Sequence, residues 1–284
     1  MSVRLGLVQS EVVSNEFSER GKRNNLEKAL RGIASAKKEG ADIVCLQELF
    51  SLPYIGQKRV SSRFRLAEKI PGPMSNLLCS AAKEYGVVLI GGSIFEVDRS
   101  SYYNTSPVIS QDGKLLGKYR KTFIPNDPYY KEQYYFSSGR GQYRVFDSDF
   151  GKIGVLICFD QWFPEAARAV ARKDARVIFY PTAIGWTKKM RENEPSSDDD
   201  WINVQRMQAK INHVYVAAVN RAGKEENIDF WGGSFVADPL GRVIASCNND
   251  DSVLVTSCDL DLISKSKEWK FLEIYKKYIR TEIS

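Results

Sequence analysis

The sequence predicts an α/β fold, and three observations carry the prediction. Short apolar runs rich in β-branched residues alternate with stretches of helical periodicity, giving strand, helix, strand in the first half and the same rhythm again in the second. No Pro/Gly/Ser-rich linker or low-complexity tract divides the chain. With 284 residues, 43% hydrophobic and 27% charged, it has the composition of an ordinary globule and enough chain for one large core. It therefore reads as a single domain spanning residues 1–284.

The elements follow in order. Residues 3–9 (VRLGLVQ) form a strand. Residues 19–38 form a helix with Leu26, Leu30, Ile33 and Ala34 on one face, stopped by Gly40. Residues 41–48 (ADIVCLQE) form a second buried strand. Pro71-Gly72-Pro73 turns the chain, and Ser75 caps a helix running to Glu84. Residues 87–96 read as one strand whose Gly91-Gly92 pair marks close approach of another backbone. Residues 102–109 and 114–120 flank Asp112-Gly113 as a hairpin. In the second half, strands are expected at 143–147, 152–158, 175–181, 214–219, 231–237, 242–245 and 252–259. Helices are expected from Pro164 to near Lys173 and over 201–212, the latter capped by Asp198, Asp199 or Asp200 after a polar loop at 184–200. Residues 269–279 form a last, amphipathic helix.

Composition narrows the functions. The net charge of +6 comes from 41 basic against 35 acidic residues and is scattered, with some concentration at 265–280. That suits a solvated face or a subunit contact and not nucleic acid. There is no phosphate-binding glycine loop and no apolar run long enough to span a membrane. The first residues, MSVRLGLVQS, show no leader pattern, so a cytoplasmic protein is expected. Cys45, Cys79, Cys158, Cys247 and Cys258 form no C-x-x-C pair, which argues against zinc and for reduced thiols. His213 is the one histidine, at the mouth of a strand. A satisfied structural role suits it, and a His-based triad is open only through it.

The chemistry concentrates in GKIGVLICFDQWFPEAAR, residues 151–168. Cys158 ends an apolar strand and precedes a helix opened by Pro164-Glu165, so it sits at an elbow beside backbone N–H groups that favour a thiolate. The competing reading is a small core residue. Glu48 likewise ends an apolar strand, where a carboxylate is seldom left unpaired; a loop-facing glutamate is the alternative. Lys121 stands where a strand runs out into a tyrosine-dense loop that carries Glu132. In an α/β sheet, the carboxyl ends of neighbouring strands converge on one crevice. There a thiol, a carboxylate and an ammonium form an acyl-transfer set. The carboxylate takes the thiol proton, and the ammonium with the Phe159 backbone N–H holds the oxyanion.

These residues, in this order and in these surroundings, resemble the nitrilase superfamily, the carbon–nitrogen hydrolases with a Glu-Lys-Cys triad. Glu48 stands in VCLQELF, Lys121 in KYRKTFIP and Cys158 in GVLICFDQWFPEAAR. The run from Asp160 to Arg168 and the PTAIGW, SSDDDW and RAGKE segments look most like the N-carbamoylputrescine amidohydrolase branch. The resemblance implies a four-layer αββα sandwich, no metal or organic cofactor, a small carbamoyl amine or amide substrate, and a homo-oligomer with residues 260–284 in subunit contacts. It gives Glu132 a supporting role. Phe123 and Asn126 depart from the branch, which often has His and Asp there. A cationic substrate tail needs negative charge, for which Glu194, Asp198, Asp199 and Asp200 are candidates beside a plain acidic loop. Tyr54, Tyr130 and Trp186 could wall the pocket or stack on a cation, or simply fill core. An ω-amidase, a β-ureidopropionase-like carbamoylase, a nitrilase and a silent interaction scaffold remain the alternatives.

Overall fold

A computed structural model describes residues 1–265 and 269–279. The first half contains β1 (Ser2–Gln9), α1 (Glu19–Lys38), β2 (Ile43–Leu46), α2 (Pro73–Tyr85), β3 (Val88–Ile90), β4 (Ile94–Asp98), β5 (Ser101–Ile109) and β6 (Leu115–Arg120). The second opens with β7 (Val145–Ser148), β8 (Gly151–Val155), α3 (Pro164–Arg172), β9 (Val177–Pro181), β10 (Gly185–Trp186), α4 (Lys188–Asn193) and α5 (Ser197–Asn212). It closes with β11 (Tyr215–Val219), β12 (Ala222–Glu225), β13 (Ile228–Trp231), β14 (Phe235–Ala237), β15 (Val243–Ser246), β16 (Ser252–Asp259), α6 (Leu262–Lys265) and α7 (Phe271–Tyr278).

Two sheets face each other. The first runs β16-β1-β2-β3-β5-β4, with β6 also on β5; the second runs β15-β14-β11-β9-β8-β7. Each has a parallel centre, β1-β2-β3 in one and β11-β9-β8 in the other, flanked by antiparallel strands. The period of two along a strand builds the layers. Leu5, Leu7, Ile43 and Cys45 point inward and join Val155, Ile157, Phe179 and Ala217 of the facing sheet in one core. Their alternates Val8, Val44 and Leu46 point outward and pack with Leu26, Ala29 and Ile33 of α1 and Leu78 of α2. α3 and α5 cover the second sheet in the same way. The result is the α/β four-layer αββα sandwich.

Local chemistry starts and stops the elements. Ser18 Oγ accepts the Gly21 N–H at 3.0 Å, and Glu19 with Lys37 and Lys38 complements the α1 dipole at its two ends. Ser75 is not the cap of α2; it lies inside the first turn and its Oγ accepts the Gly72 N–H at 2.9 Å. Asp198, Asp199 and Asp200 do not cap α5 either. That helix begins at Ser197, so they form its first turn, at the positive end of the dipole. The expected loop at 184–200 also contains β10 and the short α4, started by Thr187 Oγ1 accepting the Met190 N–H.

Two expected single strands are broken, each at glycine with positive φ. Gly232 and Gly233 separate β13 from β14, and β13 joins β10 and β12 in a small third sheet. Gly92, at φ +57°, separates β3 from β4, because a residue in that conformation cannot continue a pleat. A Cβ on Gly92 would lie 2.2 Å from the Gln47 carbonyl oxygen. The close approach expected at this pair is therefore real, and the backbone it admits carries Glu48.

α7 packs on α3 and α5 and leaves Trp269, Ile274 and Tyr278 exposed. Of residues 260–284, expected at a subunit contact, 266–268 and 280–284 lie outside the described residues. His213 ends α5 in the left-handed conformation, buried and stacked on Phe271.

Gly92→Ala should lose about 2–3 kcal/mol from backbone strain and displacement of Gln47. A thermal melt should show this as a drop of about 5 °C or more.

Candidate active site

The site lies between the two sheets and not along the edge of one, as the expectation of neighbouring strands would have had it. Glu48 leaves β2 and Lys121 leaves β6 of the first sheet; Cys158 follows β8 of the second. All three are buried.

Glu48 opens a tight turn in which Leu49 has φ +47°, a strained value for a branched side chain. Arg221, fully buried after β11, holds that turn. Its Nη2 donates to the carbonyls of Glu48 at 3.0 Å, Leu49 at 2.8 Å and Leu52 at 3.1 Å. Its Nη1 meets Glu225 Oε1 at 2.5 Å, and Glu225 Oε2 accepts the Tyr54 N–H at 2.6 Å. The Glu48 backbone N–H reaches the Thr182 carbonyl across the sheets at 3.4 Å.

Lys121 Nζ lies 2.8 Å from Glu48 Oε1 and 2.7 Å from Glu132 Oε2. Glu132 is fixed in turn by the Tyr54 hydroxyl, which donates to its Oε1 at 2.6 Å. Glu48 Oε1 takes a second bond from Asn104 Nδ2 at 2.7 Å. Glu48 Oε2 has no hydrogen-bond partner of ordinary geometry among the described residues, and contact with the Cys158 thiol favours the charged carboxylate after the larger effect of Lys121.

Cys158 has φ +43°, so the chain reverses sharply at the thiol. Asp160 secures the reversal. Its Oδ2 accepts the Ile157 N–H at 2.9 Å and the Tyr119 hydroxyl at 2.8 Å, and its Oδ1 accepts the N–H groups of Thr122 and Phe123 at 3.2 and 2.9 Å. One carboxylate thus ties the elbow of Cys158 to the residues that follow Lys121.

Electrostatics assign the protons. Burial raises the Cys158 thiol well above its usual range and the Glu48 charge adds to this, while Lys121 opposes it. Burial also raises Glu48, against the pull of the Lys121 ammonium. Burial works against the Lys121 ammonium, but the charges of Glu132 and Glu48 outweigh it and keep Lys121 protonated. The resting thiol is therefore neutral. This corrects the expectation that the elbow's N–H groups would favour a thiolate: desolvation and the neighbouring carboxylate dominate. A carboxylate with a raised pKa is the better proton acceptor for such a thiol.

Cys158 and Phe159 open on a cavity of about 720 Å³ lined also by Tyr130, Glu132, Trp162, Lys189, Glu194 and Asp200. Tyr130, Glu194 and Asp200 are thus where a pocket reading puts them. Tyr130 is held by its hydroxyl, which donates to the Gly185 carbonyl at 3.0 Å. Tyr54 and Trp186 are not walls of this cavity. Tyr54 is buried behind Glu132, and Trp186 packs on Trp231. Asp198 and Asp199 face away from the cavity on the first turn of α5. Asn126 is exposed outside it, and Phe123 stacks on Phe163 at 3.6 Å beside an adjoining cavity.

Sequence reasoning missed Asn104, Arg221 and the tethering role of Asp160. A signal existed for each. Asn104 opens a polar run, Asn-Thr-Ser, in a buried strand, and Arg221 follows the apolar strand VYVAAV just as Glu48 follows its own.

An α/β sandwich whose two sheets gather a buried thiol, carboxylate and ammonium at the floor of one cavity, the thiol itself lining it, has the make-up of a hydrolase of the acyl-transfer type. The chain belongs to the carbon–nitrogen hydrolase family, whose model matches residues 4–268. It is 42% identical to an N-carbamoylputrescine amidase of Solanum lycopersicum over 86% of this chain and 84% of that one. It is 35% identical to a citrullinase of Francisella tularensis over 98% and 99% of the two chains. A carbon–nitrogen hydrolase from Helicobacter pylori G27 superposes with a TM-score of 0.89 at 29% identity over 98% of both chains.

Arg221→Leu would strand Glu225 and free three carbonyls, so denaturant melts should show a loss of about 3–5 kcal/mol. Burial raises Asp160 from 3.8 to about 6, its four donors notwithstanding. The native state therefore holds this proton more tightly, and its contribution is full below pH 4 and lost as pH rises through 6. Relative to Asp160→Asn, the protein should lose about 3 kcal/mol between those limits, measured by paired melts across pH.

Proposed function

We propose that this chain is a cysteine-dependent amidohydrolase whose substrate is N-carbamoylputrescine. The observation that carries the reading is the shared cavity: the Cys158 thiol and the carboxylates of Glu194 and Asp200 face one space of a size for a small linear molecule. A carbamoyl group at the thiol and a cationic tail at the carboxylates would satisfy both ends. The similarity to plant N-carbamoylputrescine amidases at 39–42% identity supports it.

In this mechanism Glu48 Oε2 takes the proton of the Cys158 thiol, and the sulfur attacks the carbamoyl carbon. Lys121 spends two of its three N–H donors on Glu48 and Glu132. The third, with the Phe159 backbone N–H, receives the oxyanion. Glu48 returns its proton to the departing nitrogen, and one amine leaves. Water activated by the same carboxylate attacks the acyl carbon and expels the sulfur, which recovers its proton, and the carbamic acid released breaks its remaining C–N bond to give carbon dioxide and the second amine. One N-carbamoylputrescine and one water give putrescine, ammonia and carbon dioxide.

Lys189 in the same cavity favours a second reading, a substrate tail that also bears a carboxylate, as citrulline does. The five free cysteines support a cytoplasmic enzyme. The exposed Trp269, Ile274 and Tyr278 face supports a homo-oligomer.

Ammonia release from N-carbamoylputrescine, citrulline and aliphatic ω-amides should rank N-carbamoylputrescine first in kcat/KM and vanish in Cys158→Ala. Replacing Lys121 by Met should cost about 3–4 kcal/mol of transition-state stabilisation. Glu194→Gln should raise KM about fivefold, the ~1 kcal/mol of a pair open to solvent. Citrulline ranking first, with KM raised by Lys189→Met, would move the assignment to the second reading.

A further inference from the structure

We propose that Asn104 is a positioning residue that, with Lys121, occupies one oxygen of Glu48 and so reserves the other for the Cys158 proton. The inference rests on the reading of Glu48 as the base.

A carboxylate offers two equivalent oxygens and rotates between them. Here the equivalence is broken. Asn104 Nδ2 at 2.7 Å and Lys121 Nζ at 2.8 Å both sit on Oε1, while Oε2 is buried and takes no hydrogen bond of ordinary geometry among the described residues. Asn104 is the one uncharged side-chain donor on Oε1 among the described residues. The amide direction is dictated by charge, because turning it over would press Oδ1 against a carboxylate oxygen. Asn104 Oδ1 then lies buried without a partner. An unmatched buried polar atom costs stability, and an apolar side chain of similar volume would carry no such cost. Among the described residues the one hydrogen bond of this side-chain amide is to Glu48.

The backbone of the same residue sets the second partner. The Lys121 N–H donates to the Asn104 carbonyl at 2.9 Å, extending the β5–β6 ladder by one step past Thr105 and Arg120. Side chain and main chain of Asn104 therefore fix the base and the ammonium relative to each other from one rigid strand. The other groups around Glu48 are Lys121, Glu132 and Cys158, with the tyrosines Tyr54 and Tyr130 beyond. None of them can replace an uncharged donor on Oε1, since Lys121 is already there and the rest are acidic.

The test is alkylation of Cys158 by iodoacetamide across pH, read by peptide mass spectrometry in the full chain, with turnover measured alongside. Glu48→Gln is the control for the base. Asn104→Leu should slow Cys158 labelling and lower kcat by about tenfold or more with KM little changed, as for a misplaced reacting group. The acid limb should move to higher pH by about one unit, because a donor favouring the charged carboxylate is gone. Its melting temperature should hold or rise. If Asn104→Leu does not fold, Asn104→Ser is judged by the same criteria. A folded variant with the acid limb unmoved and rates within about twofold overturns the proposal while Glu48→Gln still abolishes labelling. Labelling that survives Glu48→Gln overturns the reading of Glu48 as base and the proposal with it.

Discussion

A lysine ammonium with no access to water sits between two glutamates, and the site is organised by that fact. Desolvating one cation and two anions is costly, and removing any one of them would leave an unpaired charge in a dry interior. Lys121 is therefore obliged to stay between Glu48 and Glu132, and they are obliged to stay with it. The surrounding bonds read as guarantees of this arrangement. Tyr54 fixes Glu132, Arg221 fixes the turn of Glu48, and Asp160 fixes the elbow of Cys158 to the chain leaving Lys121. Each guarantor is itself buried and hydrogen-bonded, so positional error is not passed to solvent-exposed loops.

Two stacked sheets explain how residues so far apart in sequence meet in one buried cluster. A single doubly wound sheet would gather its site along one edge. Here two sheets with parallel centres face each other, and the strand ends of both open on the same interior space. The inward alternation of Leu5, Leu7, Ile43 and Cys45 against Val155, Ile157 and Phe179 sets the spacing between the sheets. The spacing between Glu48 and Cys158 is thus set by hydrophobic packing several residues away from either.

Much of this was legible in the chain. Helix α1, the hairpin of β5 and β6, and the strand before Cys158 follow directly from periodicity and turn chemistry. The three residues at strand exits stood out because polar groups ending apolar runs require a reason. What was not legible depended on three-dimensional partners. The pair Gly91-Gly92 was legible as a close approach of backbone but not as a break, and Gly232-Gly233 gave no sign of one, because the left-handed φ of Gly92, Gly232 and Gly233 is set by the neighbouring chain. Tyr54 and Trp186 looked like pocket walls because an aromatic side chain near a site has no marker for which side of it faces the cavity. The elbow of Cys158 was read as favouring a thiolate, yet burial raises the thiol first and the Glu48 charge second, and the depth of burial is not visible in a linear string.

The neutral, sequestered sulfur has a consequence for chemical durability. Hydrogen peroxide and small disulfides react with thiolates and not with thiols. A nucleophile ionised at rest would stand open to sulfenic and sulfinic acid formation whenever oxidant is present. Here burial and the neighbouring Glu48 charge hold the Cys158 thiol well above its usual range, so the proton stays on sulfur at rest. The same desolvation that makes the thiol a weak acid shelters it from oxidation between turnovers.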